Sequence, residues 1–219
     1  MPDHQFQVLK RQKPWRQAYY YQKAETLYQM TFVFCQRFLP PHGDRTVDQM
    51  VQAARSGKQN IVEGTEDGTT STEMHIKLLN VARASLQELR EDYRDYLISR
   101  QLPLWTASHP RYASMQAFCK AHNRLEDYQP YLEKWSDEEM ANVALTLCHM
   151  TDTMLNHNLQ ALEKEFVEQG GIKERMYAAR TGYRQQLDAE LAALRAENAR
   201  LQAESTRLRT LLKERGIEL

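Results

Sequence analysis

The sequence predicts an all-α protein: an antiparallel four-helix bundle followed by a C-terminal coiled-coil helix. Three observations lead there. Apolar residues recur at three- and four-residue steps through most of the chain, the spacing of one helical face. Only eight glycines and seven prolines punctuate 219 residues, and most fall between periodic segments. Near the C-terminus the period becomes seven, with Leu187, Leu194, Leu201 and Leu208 in register. The length suits one core plus an appendage. The pattern divides the chain into a basic arm at 1–14, a bundle at 15–171 with a packed connection at 101–136, and a terminal helix at 172–219. The coil in that last helix starts near 184.

The first helix is expected over 15–38, where Leu27, Met30, Thr31, Phe34 and Phe38 line one face. Pro40 and Pro41 end it, since proline lacks a donor and restricts the residue before it. The second is expected over 44–63, with Val47, Met50, Val51, Ala54 and Ile61 inward. Gly57 lies inside that pattern at a cost of about 1 kcal/mol relative to alanine, which a close approach to a neighbouring backbone offsets. Gly64 is placed to take the left-handed conformation past the last turn.

The third helix opens with a capping box from Thr70 to Glu73. Its stripe is Met74, Leu78, Val81, Ser85, Leu86, Leu89, Tyr93 and Tyr96, fading near Arg100. Residues 101–136 carry Pro103, Pro110 and Pro130 with Trp105, Tyr112, Tyr128, Tyr131 and Trp135. So many aromatics indicate a packed connection, with a short helix near 111–122. Ser136 to Glu139 is a second capping box, and the helix it starts runs to about 169. Met140, Val143, Ala144, Leu147, Met150, Thr151, Met154, Leu155, Leu162 and Phe166 form its buried side before Gly170-Gly171 stops it. Short connections between the first three helices favour antiparallel neighbours.

In the tail, the four leucines occupy heptad position d, and Leu191, Asn198, Ser205 and Leu212 then occupy a. A 3.5-residue repeat keeps such a seam facing a partner helix. Glu190 and Glu204 at g stand five residues before Arg195 and Arg209 at e, so a parallel pair juxtaposes opposite charges. Asn198 favours a two-stranded, in-register pairing. The oligomerisation residues are therefore Leu187, Leu191, Leu194, Asn198, Leu201, Leu208 and Leu212, and the coil implies a dimer. A single solvated helix on the bundle is the blander alternative.

Within the second and third helices, Ser56, the run Asn60-Ile61-Val62-Glu63-Gly64, then Leu79, Val81-Ala82, Ala84-Ser85-Leu86 and Glu88-Leu89 resemble a bacterial four-helix-bundle family. That family includes ribosomal-RNA intervening-sequence proteins and the accessory variability determinant of diversity-generating retroelements. A closer resemblance is to proteins carrying a four-helix-bundle suffix domain. It extends over Arg45-Thr46, Gln49-Met50-Val51-Gln52-Ala53-Ala54-Arg55, Asp92-Tyr93, Ala141-Asn142, Phe166 and Gly170-Gly171, within about 20–180. The resemblance implies a self-assembling bundle, often a pentamer, and in the retroelement branch a partner of a reverse transcriptase and of nucleic acid. The 101–136 connection and the leucine-repeat tail depart from that pattern.

Other constellations carry less chemistry. Asn60, Glu63, Gly64 and Ser85 form a polar motif read as structural, since buried polar groups need partners. Lys10, Arg11, Lys13 and Arg16, beside Trp15, Tyr19, Tyr20 and Tyr21, are nucleic-acid candidates, because basic groups neutralise phosphate and aromatics stack on bases. An arm packing its aromatics on the bundle explains the same residues. Arg55 and Lys58 are one turn apart and could meet phosphate, although a solvated helical face is the commoner explanation.

His149, Asp152 and His157 lack the Glu-x-x-His pairs of di-iron bundles, so no metal is expected. His75 and Cys148 have no evident triad partners, so no catalytic residue is expected. Lys173, Arg175, Arg180 and Arg184 precede the leucine repeat as in a basic-region zipper, but are few, and Gly182 interrupts their helix. Lys and Arg together number 29, as do Asp and Glu, which argues against a DNA-coating protein. Cys35, Cys119 and Cys148 make no Cys-x-x-Cys and suit free thiols in a reducing cytoplasm. No apolar run reaches the ~20 residues of a membrane span, and the N-terminus lacks a signal core. The reading is a non-enzymatic cytoplasmic scaffold or adaptor without cofactor, binding a protein partner. The alternative is a nucleic-acid-binding accessory protein, of RNA or DNA, serving a reverse transcriptase or retroelement.

Overall fold

Helical periodicity becomes helical structure throughout. The computed structural model describes residues 8–9, 14–40 and 45–215, and no strand occurs among them. A 3-10 turn at Trp15–Gln17 precedes α1 (Tyr19–Phe38), α2 (Arg45–Asp67) and α3 (Thr72–Ser99). The connection then holds α4 (Tyr112–Ala121) and α5 (Leu125–Leu132), and α6 (Asp137–Gln169) and α7 (Ile172–Glu214) follow. The chain forms two compact units that divide between Gly171 and Ile172.

In the 9–171 unit the long helices pack as a closed circuit: α1 on α2, α2 on α3, α3 on α6 and α6 on α1. Leu27, Met30 and Phe34 of α1, Met50 and Ile61 of α2, Leu79, Leu89 and Tyr93 of α3, and Met140, Leu147 and Leu155 of α6 are wholly buried between them. Contacts along α2 and α3 run in opposite order: Ser56 meets Ser85, whereas Gly64 lies against Leu78 and His75. The Tyr93 hydroxyl donates to Thr31 Oγ1 (2.9 Å), so this fully buried phenol is satisfied.

Helix ends follow local chemistry. Leu39 is extended (φ −109°, ψ 152°) before Pro40, as a residue preceding proline must be. Ser136 Oγ accepts from the Glu139 N–H while Glu139 Oε2 accepts from the Ser136 N–H (2.9 Å), completing the expected capping box. Gly170, at φ 69°, ends α6 in a conformation that favours glycine.

Five expectations are corrected. The first α-helix begins at Tyr19, because Trp15–Gln17 forms a 3-10 turn and Ala18 is extended. Ser71, not Thr70, caps α3: its Oγ accepts from the Met74 N–H (3.1 Å), and the Thr70 hydroxyl donates to the Asp67 carbonyl. Gly64 does not terminate α2, which continues to Asp67; the glycine is buried in the helix because α3 comes close there. Met74 and Val81 are 43% and 47% exposed, since Leu79 and Ala82 take the inward face of α3. Gly182 does not interrupt α7, which runs unbroken from Ile172 to Glu214; its cost of about 1 kcal/mol is small beside the neighbouring helix formers. The connection also contains α5, with Pro130 inside it, which the proline had obscured.

Candidate functional site

The heptad leucines lie on α7. No residue of α7 is buried. Leu187 and Leu191 are each 42% exposed, and Leu194, Leu201 and Leu208 exceed half. Leu212 is half-buried, while Asn198 and Ser205 are exposed. Leucines left in water at successive d positions are costly, at roughly 25 cal/mol per Å² of apolar surface that a partner could cover. Glu197, the g residue between Glu190 and Glu204, forms an i,i+3 pair with Arg200 (3.8 Å).

The polar motif of α2 and α3 is a local brace. Ser56 and Ser85 share a hydroxyl hydrogen bond of 2.9 Å. Asn60 Nδ2 donates to the Ser56 carbonyl (2.9 Å) and to Ser56 Oγ (3.2 Å), so Asn60 reaches Ser85 only through Ser56. Glu63 stands apart: it is exposed and accepts from Gln59 on its own helix (3.2 Å). Beside the brace a polar groove of about 950 Å³ is lined by Arg45, Asp48, Glu88 and Asp92. Burial, with Asp95 and Glu88 adding repulsion, holds the Asp92 carboxyl above its usual range.

Of the basic candidates, Lys10, Arg11 and Lys13 lie outside the described residues. The Arg16 guanidinium sits 4.4 Å over the Trp15 ring, and Trp15 packs edge-on against buried Tyr21 at 4.6 Å. Tyr20 is half-buried, and Tyr19 is 62% exposed. These aromatics are mainly spent on packing. Lys58 lies 4.5 Å over the Tyr28 ring, and Arg55 is exposed on α2. Asp152 pairs with Arg83 (2.8 Å) instead of gathering with His149 and His157, both exposed. Among the described residues no three His, Cys, Asp or Glu side chains cluster as metal ligands. Cys35, Cys119 and Cys148 are buried and take part in no disulfide, and burial pushes the Cys148 thiol up.

The connection expected to be packed is tied to α1 and α6 by long-range hydrogen bonds. Lys23 is fully buried on α1 and donates from Nζ to the Cys119 and His122 carbonyls, the latter at 2.9 Å. A cation there satisfies orphan carbonyls at the end of α4 and complements the negative end of its dipole. Arg37 likewise donates to the Leu132 carbonyl at the end of α5. Asn142 Oδ1 accepts from the Trp105 backbone N–H (2.8 Å), and its Nδ2 donates to Pro103 (3.0 Å) and Glu138 (2.8 Å). Tyr131 and Trp135 stack at 5.3 Å, with Phe118 edge-on to both. These rings, with Trp105, Arg111, Met115, Glu139 and Val143, line a pocket of about 310 Å³.

No helix among the described residues is long and apolar enough to cross a membrane. Comparison with family models, with curated proteins and with solved structures finds no match, so the family resemblance rests on the residues that carry it.

Proposed function

We propose that the chain is a non-enzymatic, self-assembling scaffold or adaptor of the cytoplasm. In this reading it is an antiparallel four-helix bundle of the bacterial family that its second and third helices resemble, carrying a coil that pairs with a second copy. The observation that supports assembly is the exposed leucine seam of α7, from Leu187 to Leu208, on a helix with no buried residue. Charge selects the sense of pairing. Parallel strands set Glu190 against Arg195 and Glu204 against Arg209; antiparallel strands oppose Glu to Glu and Arg to Arg, which disfavours them. Asn198 restricts the seam to two strands in register. Buried thiols suit a structural role.

Light scattering on the full chain tests the reading. The expected mass is twice the 25.7 kDa of one chain, falling to one copy in Leu201→Asp. An identical mass for both proteins defeats coil-driven assembly, and a pentamer that survives the substitution points to the bundle as the assembling part.

A further inference from the structure

We infer that the aromatic pocket formed by the connection and α6 is a binding site for an organic cation, an arginine side chain presented by a partner polypeptide. In the free chain Arg111 occupies its mouth. Four aromatic residues line it, Trp105, Phe118 and the stacked Tyr131 and Trp135, together with Met115 and Val143. Such rings present negative faces that attract a guanidinium. The single acidic group in the lining is Glu139.

The chain supplies a view of that chemistry. The Arg111 guanidinium lies 5.0 Å over the Trp105 ring and pairs through Nη2 with Glu139 Oε1. The two partners are held very differently. The Arg111 side chain is 57% exposed, and exposed ion pairs contribute only about 0–1 kcal/mol. The Glu139 side chain is 19% exposed, and its other oxygen accepts from the Ser136 N–H at 2.9 Å. Burial pushes Glu139 upward, but the Ser136 and Arg111 hydrogen bonds outweigh it and keep the carboxyl ionised. The carboxylate is thus anchored by the capping box, whereas the resident cation is loosely held and replaceable. An incoming guanidinium can keep the Glu139 contact and add Phe118, Tyr131 and Trp135. At about 310 Å³ the pocket fits one side chain.

Nearby Glu138 is already committed, accepting from Trp105 Nε1 at 2.6 Å. The site lies wholly within the 9–171 unit, so its failure leaves the α7 assembly proposal standing.

The test is tryptophan fluorescence and calorimetric titration of the full chain with N-acetyl-arginine amide. Removing the resident competitor in Arg111→Ala should tighten binding about two- to sixfold, since a resident contact of about 0–1 kcal/mol holds the site closed by no more than that. Adding Glu139→Gln to that variant should abolish the gain; glutamine serves equally in a capping box, so the fold is kept. The neutral isostere N-acetyl-citrulline amide should not bind. Equal binding of citrulline and arginine probes, or of N-acetyl-phenylalanine amide, shows an apolar cleft and overturns the inference. So does an Arg111→Ala protein that binds no better than the parent.

Discussion

Gly57 is the position at which packing and helix propensity oppose each other most directly. A Cβ built there would stand 2.8 Å from both Cγ and Cδ2 of Leu86, which is 1% exposed on α3. Gly57→Ala gains about 1 kcal/mol of helix propensity. Forcing Leu86 off its rotamer costs about 1–3 kcal/mol. The net is a loss of up to about 2 kcal/mol, with Leu86 as its sole cause. Leu86→Ala removes the obstruction at its own cost of about 2–5 kcal/mol. In that background Gly57→Ala should become stabilising by about 1 kcal/mol, a coupling of about 1–3 kcal/mol across the cycle. Gly64→Ala meets Leu78 Cβ at the more tolerable 3.1 Å and should be nearly neutral. All three tryptophans, Trp15, Trp105 and Trp135, lie in the 9–171 unit, so urea unfolding followed by their fluorescence reports on that unit and not on α7. A Gly57→Ala protein that gains the same stability with Leu86 present or absent would falsify the close α2–α3 approach.

Further expectations concern the seam, the thiols and the phenols. Asn198→Leu should raise the melting temperature of the assembled coil while broadening its mass distribution beyond two copies, read by circular dichroism and light scattering; loss of stability would argue that Asn198 does not lie in the seam. The three cysteines should resist a thiol reagent at pH 8 until the protein is unfolded, because all are buried and burial pushes the Cys119 thiol up to about 11. Burial raises the Tyr93 phenol well above its usual 10.0 and Tyr96 to about 12, the latter with the Asp137 carboxylate adding to the effect. Unfolded phenols lose their protons near pH 10 while these folded ones keep theirs, so stability is intact below pH 10 and falls as pH rises toward 12. Lys23, lowered by burial, has the opposite sign and adds stability as pH rises toward 10.5. Phenolate absorbance during an alkaline titration checks this: immediate ionisation of every tyrosine at pH 10 in folded protein contradicts the buried core.

Where local chemistry is sufficient, the residues alone settle the structure. Ser136 and Glu139 cap α6 through groups three positions apart, and Pro40 dictates the extended Leu39. Distance in the chain hides the remainder. Lys23 looks like a solvated cation until α4 brings carbonyls 96 and 99 residues away within its reach. Gly64 carries the signature of a helix end, yet helix α3 against it lets α2 continue to Asp67. Met74 and Val81 match a helical stripe as well as Leu79 and Ala82 do, and only the placement of α2 and α6 around α3 decides which face is dry. The aromatic pocket is the extreme case: its rings, Arg111 and Glu139 come from separate segments, and no periodicity along the chain records that they converge. Caps, stops and repeats are interactions among residues a few positions apart and can be read directly; burial and convergence depend on neighbours that folding alone assembles.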